Sequence, residues 1–150
     1  MLHAREKLSP SLWEEITPLL QRHWNEIALR DVFGPVDIDK DAYGRAESSN
    51  MLRVYTARRE DGSLAGYAVY FVMPNFHYHS KLVAEADVFF LVPEERRGLT
   101  GLRLLRFADR ELRGEGVNVI VQKVKVAHDC GVLFKSMGYT HAENVWMKVV

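Results

Sequence analysis

Asp87-Val88-Phe89-Phe90-Leu91-Val92-Pro93-Glu94-Glu95-Arg96-Arg97-Gly98-Leu99-Thr100-Gly101-Leu102-Arg103-Leu104-Leu105 is the stretch on which the fold turns. Val88 to Val92 is a short apolar run rich in β-branched and aromatic residues, the pattern of a strand covered on both faces. Pro93 has no N–H to offer a ladder and stops the strand. Gly98 and Gly101 let the backbone approach a ligand closely. A helix beginning near Thr100 aims its free N–H groups and its positive dipole end back into the loop. Arg96 and Arg97 add charge at the same place. The product is an anion site of the kind that holds a phosphate or pyrophosphate, although a loop with two glycines is also compatible with a plain turn.

Working outward, Val83 to Val92 reads as the central strand. Before it, Leu52 to Arg58 and Leu64 to Met73 read as two strands joined by a hairpin turn at Glu60-Asp61-Gly62-Ser63. Tyr67, Val69, Phe71 and Met73 share one face of the second; Ala68, Tyr70 and Val72 share the other. After the loop, Thr100 to about Glu115 forms a helix with Leu104, Leu105, Ala108 and Leu112 as its core stripe. Arg103, Arg106, Arg110 and Arg113 share a solvent-facing edge, with Asp109 and Glu111 as nearby partners. Gly114 and Gly116 end this helix. Val117 to Lys123 then returns as a strand parallel to the central one, and Val145 to Val150 reads as a final strand.

The N-terminal third is helical. Leu2 to Lys7 suits a short edge strand. Ser9-Pro10 places an N-cap before a proline at the first helical position, and Leu12, Ile16, Leu19, Leu20, His23, Trp24 and Ile27 recur at helical spacing. Pro18 predicts a kink or a restart there, with Thr17 as a new cap. His23 lies on the apolar side, as a core or rim residue. Gly34-Pro35 marks a turn, and a second helix enters at Asp37 to Tyr43 and runs to about Ser48. The aspartates at 37, 39 and 41 lack the glycine and terminal glutamate of a calcium loop.

Composition bounds the rest. The 150 residues carry 20 basic and 20 acidic side chains, for a net charge of zero. Nothing in that balance favours nucleic acid or an anionic membrane surface as a partner. No apolar run approaches the length of a bilayer span and no basic-plus-apolar leader precedes Ser9, so a soluble, cytoplasmic single domain over residues 1–150 is expected. Cys130 is the single cysteine, which excludes an internal disulfide. It reads as a core residue.

The order Val-Pro-Glu-x-Arg-x-Gly-x-x-Gly-x-x-Leu-Leu resembles motif A of the GNAT acyltransferases, in which a strand ending in Val-x-Pro leads into Gln/Arg-x-x-Gly-x-Gly/Ala and a helix. Arg96 falls on the first motif position and Gly101 on the last; Leu99 replaces the middle glycine, and Gly98 sits one residue early. Leu133 to Tyr139 is similar to the family's Leu-Tyr-x-x-x-Gly-Phe/Tyr segment, which implies a short helix closed by Gly138 before an antiparallel hairpin. The resemblance runs from Leu52 to the C-terminus and more loosely over the N-terminal helices. His-Trp-Asn-Glu-Ile in the first helix is also similar to small GNAT proteins of tailed bacteriophages. The fold so implied is mixed α/β (α+β), a central, mostly antiparallel sheet with splayed middle strands and about four flanking helices.

The resemblance implies acetyl-CoA as cosubstrate and direct acetyl transfer to an amine of a small molecule or protein. Backbone N–H groups around Phe90, Leu91 and Val92 would bind the pantetheine. Arg96, Arg97, Gly98, Leu99, Thr100 and Gly101 would hold the pyrophosphate. Residues between the first two helices would wall the acceptor, and His77, Tyr78 and His79 would line its opening. Asp87 and Glu85, two apart on the central strand and so on one face, are the base candidates, with a strand-end salt bridge as the bland alternative. Phe134 stands where relatives keep an acidic tyrosine, against the cosubstrate, and Ala127 stands in place of a helix-opening asparagine. His128 is the substitute acid. No metal site is expected: the closest histidines lack a third ligand. The partners implied are an acyl-CoA and an amine, with a homodimer left open and neither membrane nor nucleic acid involved. The alternative function is a catalytically weak GNAT-fold binding or virion-associated module.

Overall fold

The computed structural model describes residues 1–27 and 29–150. In chain order it has β1 (Leu2–Glu6), α1 (Pro10–Ile27), α2 (Arg30–Phe33), α3 (Lys40–Ser48), β2 (Leu52–Arg58), β3 (Leu64–Pro74), β4 (Leu82–Leu91), α4 (Thr100–Gly114), β5 (Val119–Val121) and α5 (Gly131–Ser136). The strands form one sheet in the order β1-β2-β3-β4-β5. The first three pairings are antiparallel, and β4 with β5 is parallel. A mixed, mostly antiparallel sheet flanked by helices is therefore what the pattern of strands and breaks had implied.

Alternating residues send side chains to opposite faces, so the sheet builds two cores. On one face Tyr55, Ala68, Tyr70, Val72, Ala84 and Ala86 pack under Leu104, Ala108 and Leu112 of α4. On the other, Val54, Tyr67, Val69 and Phe90 pack against Leu12 and Ile16 of α1. Fully burying one such leucine contributes about 1.5–3 kcal/mol. Each helix is thus held by a few aligned apolar positions.

Local chemistry sets the helix starts. The Ser9 hydroxyl accepts from the Leu12 amide at 3.2 Å, and Asp39 caps α3 by accepting from the Ala42 amide at 2.8 Å. Helix α3 starts at Lys40, just inside the acidic run read as its entry. Pro18 neither breaks nor restarts α1, which runs unbroken from Pro10 to Ile27. Thr17 is not a cap: its hydroxyl donates back to the Trp13 carbonyl at 2.6 Å, a bond that bends helices and does not start them. The short α2 between the two long helices was not legible in the sequence.

The C-terminus departs from expectation. Residues 145–150 form no strand, and Val145, Trp146, Met147, Val149 and Val150 are all exposed. The expected return strand is likewise only Val119–Val121. An extended segment becomes a strand only by pairing, and so short an edge offers a late-arriving segment few ladder positions. Tyr139 is nonetheless tied down: its hydroxyl donates to Asp109 of α4 at 2.7 Å. Among the described residues, no helix is long and apolar enough to cross a membrane.

Candidate functional site

The central strand splits from its neighbour. Among the described residues, β4 and β5 pair only at Val83↔Val119, Ala84↔Ile120 and Glu85↔Val121, and β4 then continues alone on that side to Leu91. Its edge beyond Glu85 is the splay that the resemblance implied, and Phe90, Leu91 and Val92 lie along it. Phe90 and Val92 turn their side chains into the α1 core, while the Val92 amide is spent on the Ala65 carbonyl at 2.9 Å.

Asp87 sits at a β-bulge. The register passes from Val69↔Val88 to Tyr70↔Ala86, leaving Asp87 opposite no residue of β3. The bulge changes the phase of the strand. Ala84 and Ala86 pack toward α4, whereas Val88 and Phe90 pack toward α1. Asp87 emerges exposed at this step and accepts a 2.5 Å hydrogen bond from the Tyr43 hydroxyl of α3. Burial, together with the bond to Asp87, raises the Tyr43 pKa strongly, so this hydroxyl stays a donor. Glu85 has a different partner, Lys123 Nζ at 2.9 Å. The two carboxylates thus stand on either side of the step, one tied to α3 and the other to the segment after β5.

Beyond β4 the chain forms a single tight turn at Pro93–Glu95 and reaches α4 through Arg96 to Leu99. Ion pairs pin the turn. Arg22 of α1 holds Glu94 at 2.8 Å, and Arg59 holds Glu95 at 2.7 Å. The Arg96 guanidinium donates to the Leu91 carbonyl and to Glu26 of α1, both at 2.7 Å, and lies over the Phe90 ring. It clamps the strand end to α1, a use that the motif alone did not reveal. Arg97 is exposed and makes no ion pair among the described residues. Gly98 takes φ +83°, open only to a residue without Cβ at small cost. Leu99 occupies the N-cap of α4 and offers no capping side chain, so the first-turn N–H groups around Thr100 and Gly101 remain open. A Cβ at Gly101 would sit 3.4 Å from the Phe89 ring, so this glycine is not sterically compelled.

On the α1 side, a narrow crevice runs beside the bulge, lined by Trp13, Trp24, Ile38, Tyr43, Tyr67 and Val88 among others. His23 lies at its back, 2% exposed, stacked on Phe90 and sharing a 3.1 Å hydrogen bond with the Tyr67 hydroxyl. Burial, with the positive charges of Arg96 and Lys125, lowers the His23 pKa to about 4. It is a satisfied, neutral core histidine at pH 7.

The remaining candidates are carried by α5, by the turn Val126–His128 and by the loop between β3 and β4. Phe134 of α5 is buried edge-to-face against Tyr139, ring centroids 5.5 Å apart. His128 is exposed in the turn Val126–His128, which also contains Ala127. Cys130 is half-buried and its thiol pKa is raised, first by burial and then by Asp129. His77, Tyr78 and His79 are exposed in the loop between β3 and β4, held by the Asn75 side chain accepting from the 77 and 78 amides. Among the described residues, no group of three or more His, Cys, Asp or Glu side chains could hold a metal ion. Tyr43 and the bulge were missed from the sequence. Aromatic enrichment between the first two helices was the one signal that pointed toward Tyr43.

Comparison with known proteins places the fold. No family model and no curated protein sequence matches the chain. Solved structures do, and many are GNAT-type acetyltransferases. One is an aminoglycoside acetyltransferase, meta-AAC0020, from an uncultured soil metagenomic sample: TM-score 0.74 at 13% identity, over 99% of this chain and 93% of that one. A ribosomal-protein-alanine N-acetyltransferase from Brucella melitensis biovar Abortus 2308 gives 0.71 at 14%, over 100% and 98%. A glucosamine-6-phosphate N-acetyltransferase from Arabidopsis thaliana gives 0.71 at 12%, over 99% and 98%. The chain has the GNAT acetyltransferase fold from end to end.

Proposed function

We propose that this chain is an acetyl-CoA-dependent N-acetyltransferase, with residues 1–150 working as one acyltransferase domain in the cytoplasm. The observation that carries this reading is continuity: the free edge of β4 beyond Glu85 leads through Arg97 and Gly98 straight to the uncapped start of α4. A strand edge can ladder with the amide groups of pantetheine, and an open helix N-terminus suits a pyrophosphate. Among the described residues, Arg97 is the free cation of the loop. Arg96 contributes by fixing the strand end.

The acetyl group would lie against β4, its carbonyl polarised by backbone N–H groups of the unpaired edge. A neutral amine attacks that carbonyl carbon. The C–N bond forms, and the carbonyl π pair moves onto oxygen. Collapse of the tetrahedral species breaks the C–S bond and releases the CoA thiolate. The amine proton passes to the Asp87 carboxylate, directly or through one water, while Tyr43 holds the carboxylate in place. Glu85 is the alternate acceptor along the same strand. The thiolate takes a proton from water or from His128, since Phe134 has no hydroxyl.

The test is calorimetry and thermal unfolding with acetyl-CoA, followed by release of free CoA thiol over a panel of amines. Ligand at about 100 times its dissociation constant adds roughly 2.7 kcal/mol to stability. Leu99, Ala127 and Phe134 favour a second reading, a binding module of the same fold, for example one encoded by a phage. Saturable acetyl-CoA binding without turnover on any amine supports that module; no binding at all refutes the cosubstrate assignment.

A further inference from the structure

We propose that the acceptor is a small primary amine with a compact apolar tail, its ammonium held at Asp87 and its tail in the crevice between α1, α3 and β4. This rests on the acyltransferase reading and names the substrate class of the same site.

The walls of the crevice are apolar or aromatic: Trp13, Trp24, Ile38, Tyr43, Tyr67 and Val88. Two of these carry hydroxyls, and both hydroxyls are already engaged. Tyr43 donates to Asp87, and Tyr67 shares its hydrogen bond with His23. A hydroxyl-rich acceptor would therefore surrender its water hydrogen bonds for at most the two indole N–H groups of Trp13 and Trp24, which is costly. Two of the structural neighbours are an aminoglycoside acetyltransferase and a glucosamine-6-phosphate N-acetyltransferase. Neither chemistry suits these walls.

The mouth is different. Asp87 is exposed at the bulge, one residue from the crevice-lining Val88 and bonded to the crevice-lining Tyr43. A carboxylate at the rim of an apolar slot fits a molecule with one cationic head and an apolar body, and rejects one with a second charge at its far end. The cavity is narrow, about 30 Å³, room for roughly two waters. A chain of about two or three carbons fits; a sugar does not. Once the ammonium has lost its proton, the same placement leaves the nitrogen beside β4, where the thioester carbonyl would lie.

The probes are ethylamine, n-propylamine, 1,3-diaminopropane and glucosamine. Two readouts are used: the fluorescence of Trp13 and Trp24 in the protein without cosubstrate, and thiol release with acetyl-CoA. Affinity should rise about fourfold from ethylamine to n-propylamine, the value of burying one CH₂ group. n-Propylamine should exceed 1,3-diaminopropane, its equal in length with a second ammonium, by at least about tenfold, because a charge in an apolar slot is costly. Ile38→Asp, on the irregular segment before α3, places a carboxylate in the slot and should reverse the preference toward 1,3-diaminopropane. 1,3-Diaminopropane or glucosamine matching n-propylamine, or no saturable fluorescence response to n-propylamine, overturns the proposal whether or not the Ile38 variant folds. Failure of acetyl-CoA to bind overturns the acyltransferase reading alone, because the fluorescence titration is independent of it.

Discussion

Lowering the pH should destabilise this protein through a single buried imidazole. His23 is buried beneath the crevice and its pKa is lowered to about 4, chiefly by burial and secondarily by Arg96 and Lys125. In the unfolded chain it titrates at its ordinary value near 6.5. Above that value both states are neutral and the stability contributed is fully present. As pH falls below about 6.5, the unfolded state binds a proton that the native state refuses until about pH 4. Stability is lost across that window with a limiting slope of about 1.4 kcal/mol per pH unit. The gap of roughly 2.5 units gives a total near 3 kcal/mol at full effect. Carboxylates also titrate in this range, so the measurement is a difference. Urea unfolding is followed at pH 7.0, 6.0, 5.0 and 4.5 for the wild type and for the double variant His23→Phe/Tyr67→Phe. The pair of changes keeps an aromatic stack on Phe90 and strands no hydroxyl. The wild type should lose about 2–3 kcal/mol more than the variant between pH 7 and 4.5. Parallel stability curves would refute the reasoning, because His23 would then be free to charge in the native state.

Gly101→Ala should fold and gain up to about 1 kcal/mol of helix stability, while Gly101→Glu should abolish acetyl-CoA binding by calorimetry, because its carboxylate enters the anion site. Arg97→Gln should weaken acetyl-CoA binding with little change in stability; Arg96→Gln should cost about 1–3 kcal/mol in urea unfolding, since Arg96 holds the Leu91 carbonyl, Glu26 and the Phe90 ring. Asp87→Asn should lower kcat by about 10²-fold or more with acetyl-CoA affinity retained; equal loss of both would make Asp87 a structural partner of Tyr43. Phe134→Tyr should raise thiol release if thiolate protonation limits turnover, at a stability cost of about 1–3 kcal/mol should the new hydroxyl find no partner. An unchanged rate identifies Phe134 as packing alone.

What the amino-acid order determined by itself was local. The strand, proline, basic loop and helix from Asp87 to Leu105 were legible because each signal acts within a few residues: a missing N–H at Pro93, a tolerated positive φ at Gly98, an apolar stripe at Leu104, Leu105, Ala108 and Leu112. The hairpin at Asp61-Gly62 and the caps Ser9 and Asp39 are of the same kind. Tertiary structure decided the rest, because it depends on pairs far apart in the chain. The Asp87 bulge exists only against the register of β3, and it puts Ala86 and Val88 on opposite faces where strict alternation would have kept them together. Tyr43 reaches Asp87 because α3 docks over that bulge. Arg96 turned from the phosphate loop to Glu26 because α1 brings a carboxylate beside the end of β4. The segment 145–150 has the composition of a strand and is not one, because β-structure is a property of two segments in register, and a sequence read one segment at a time cannot say where the second lies.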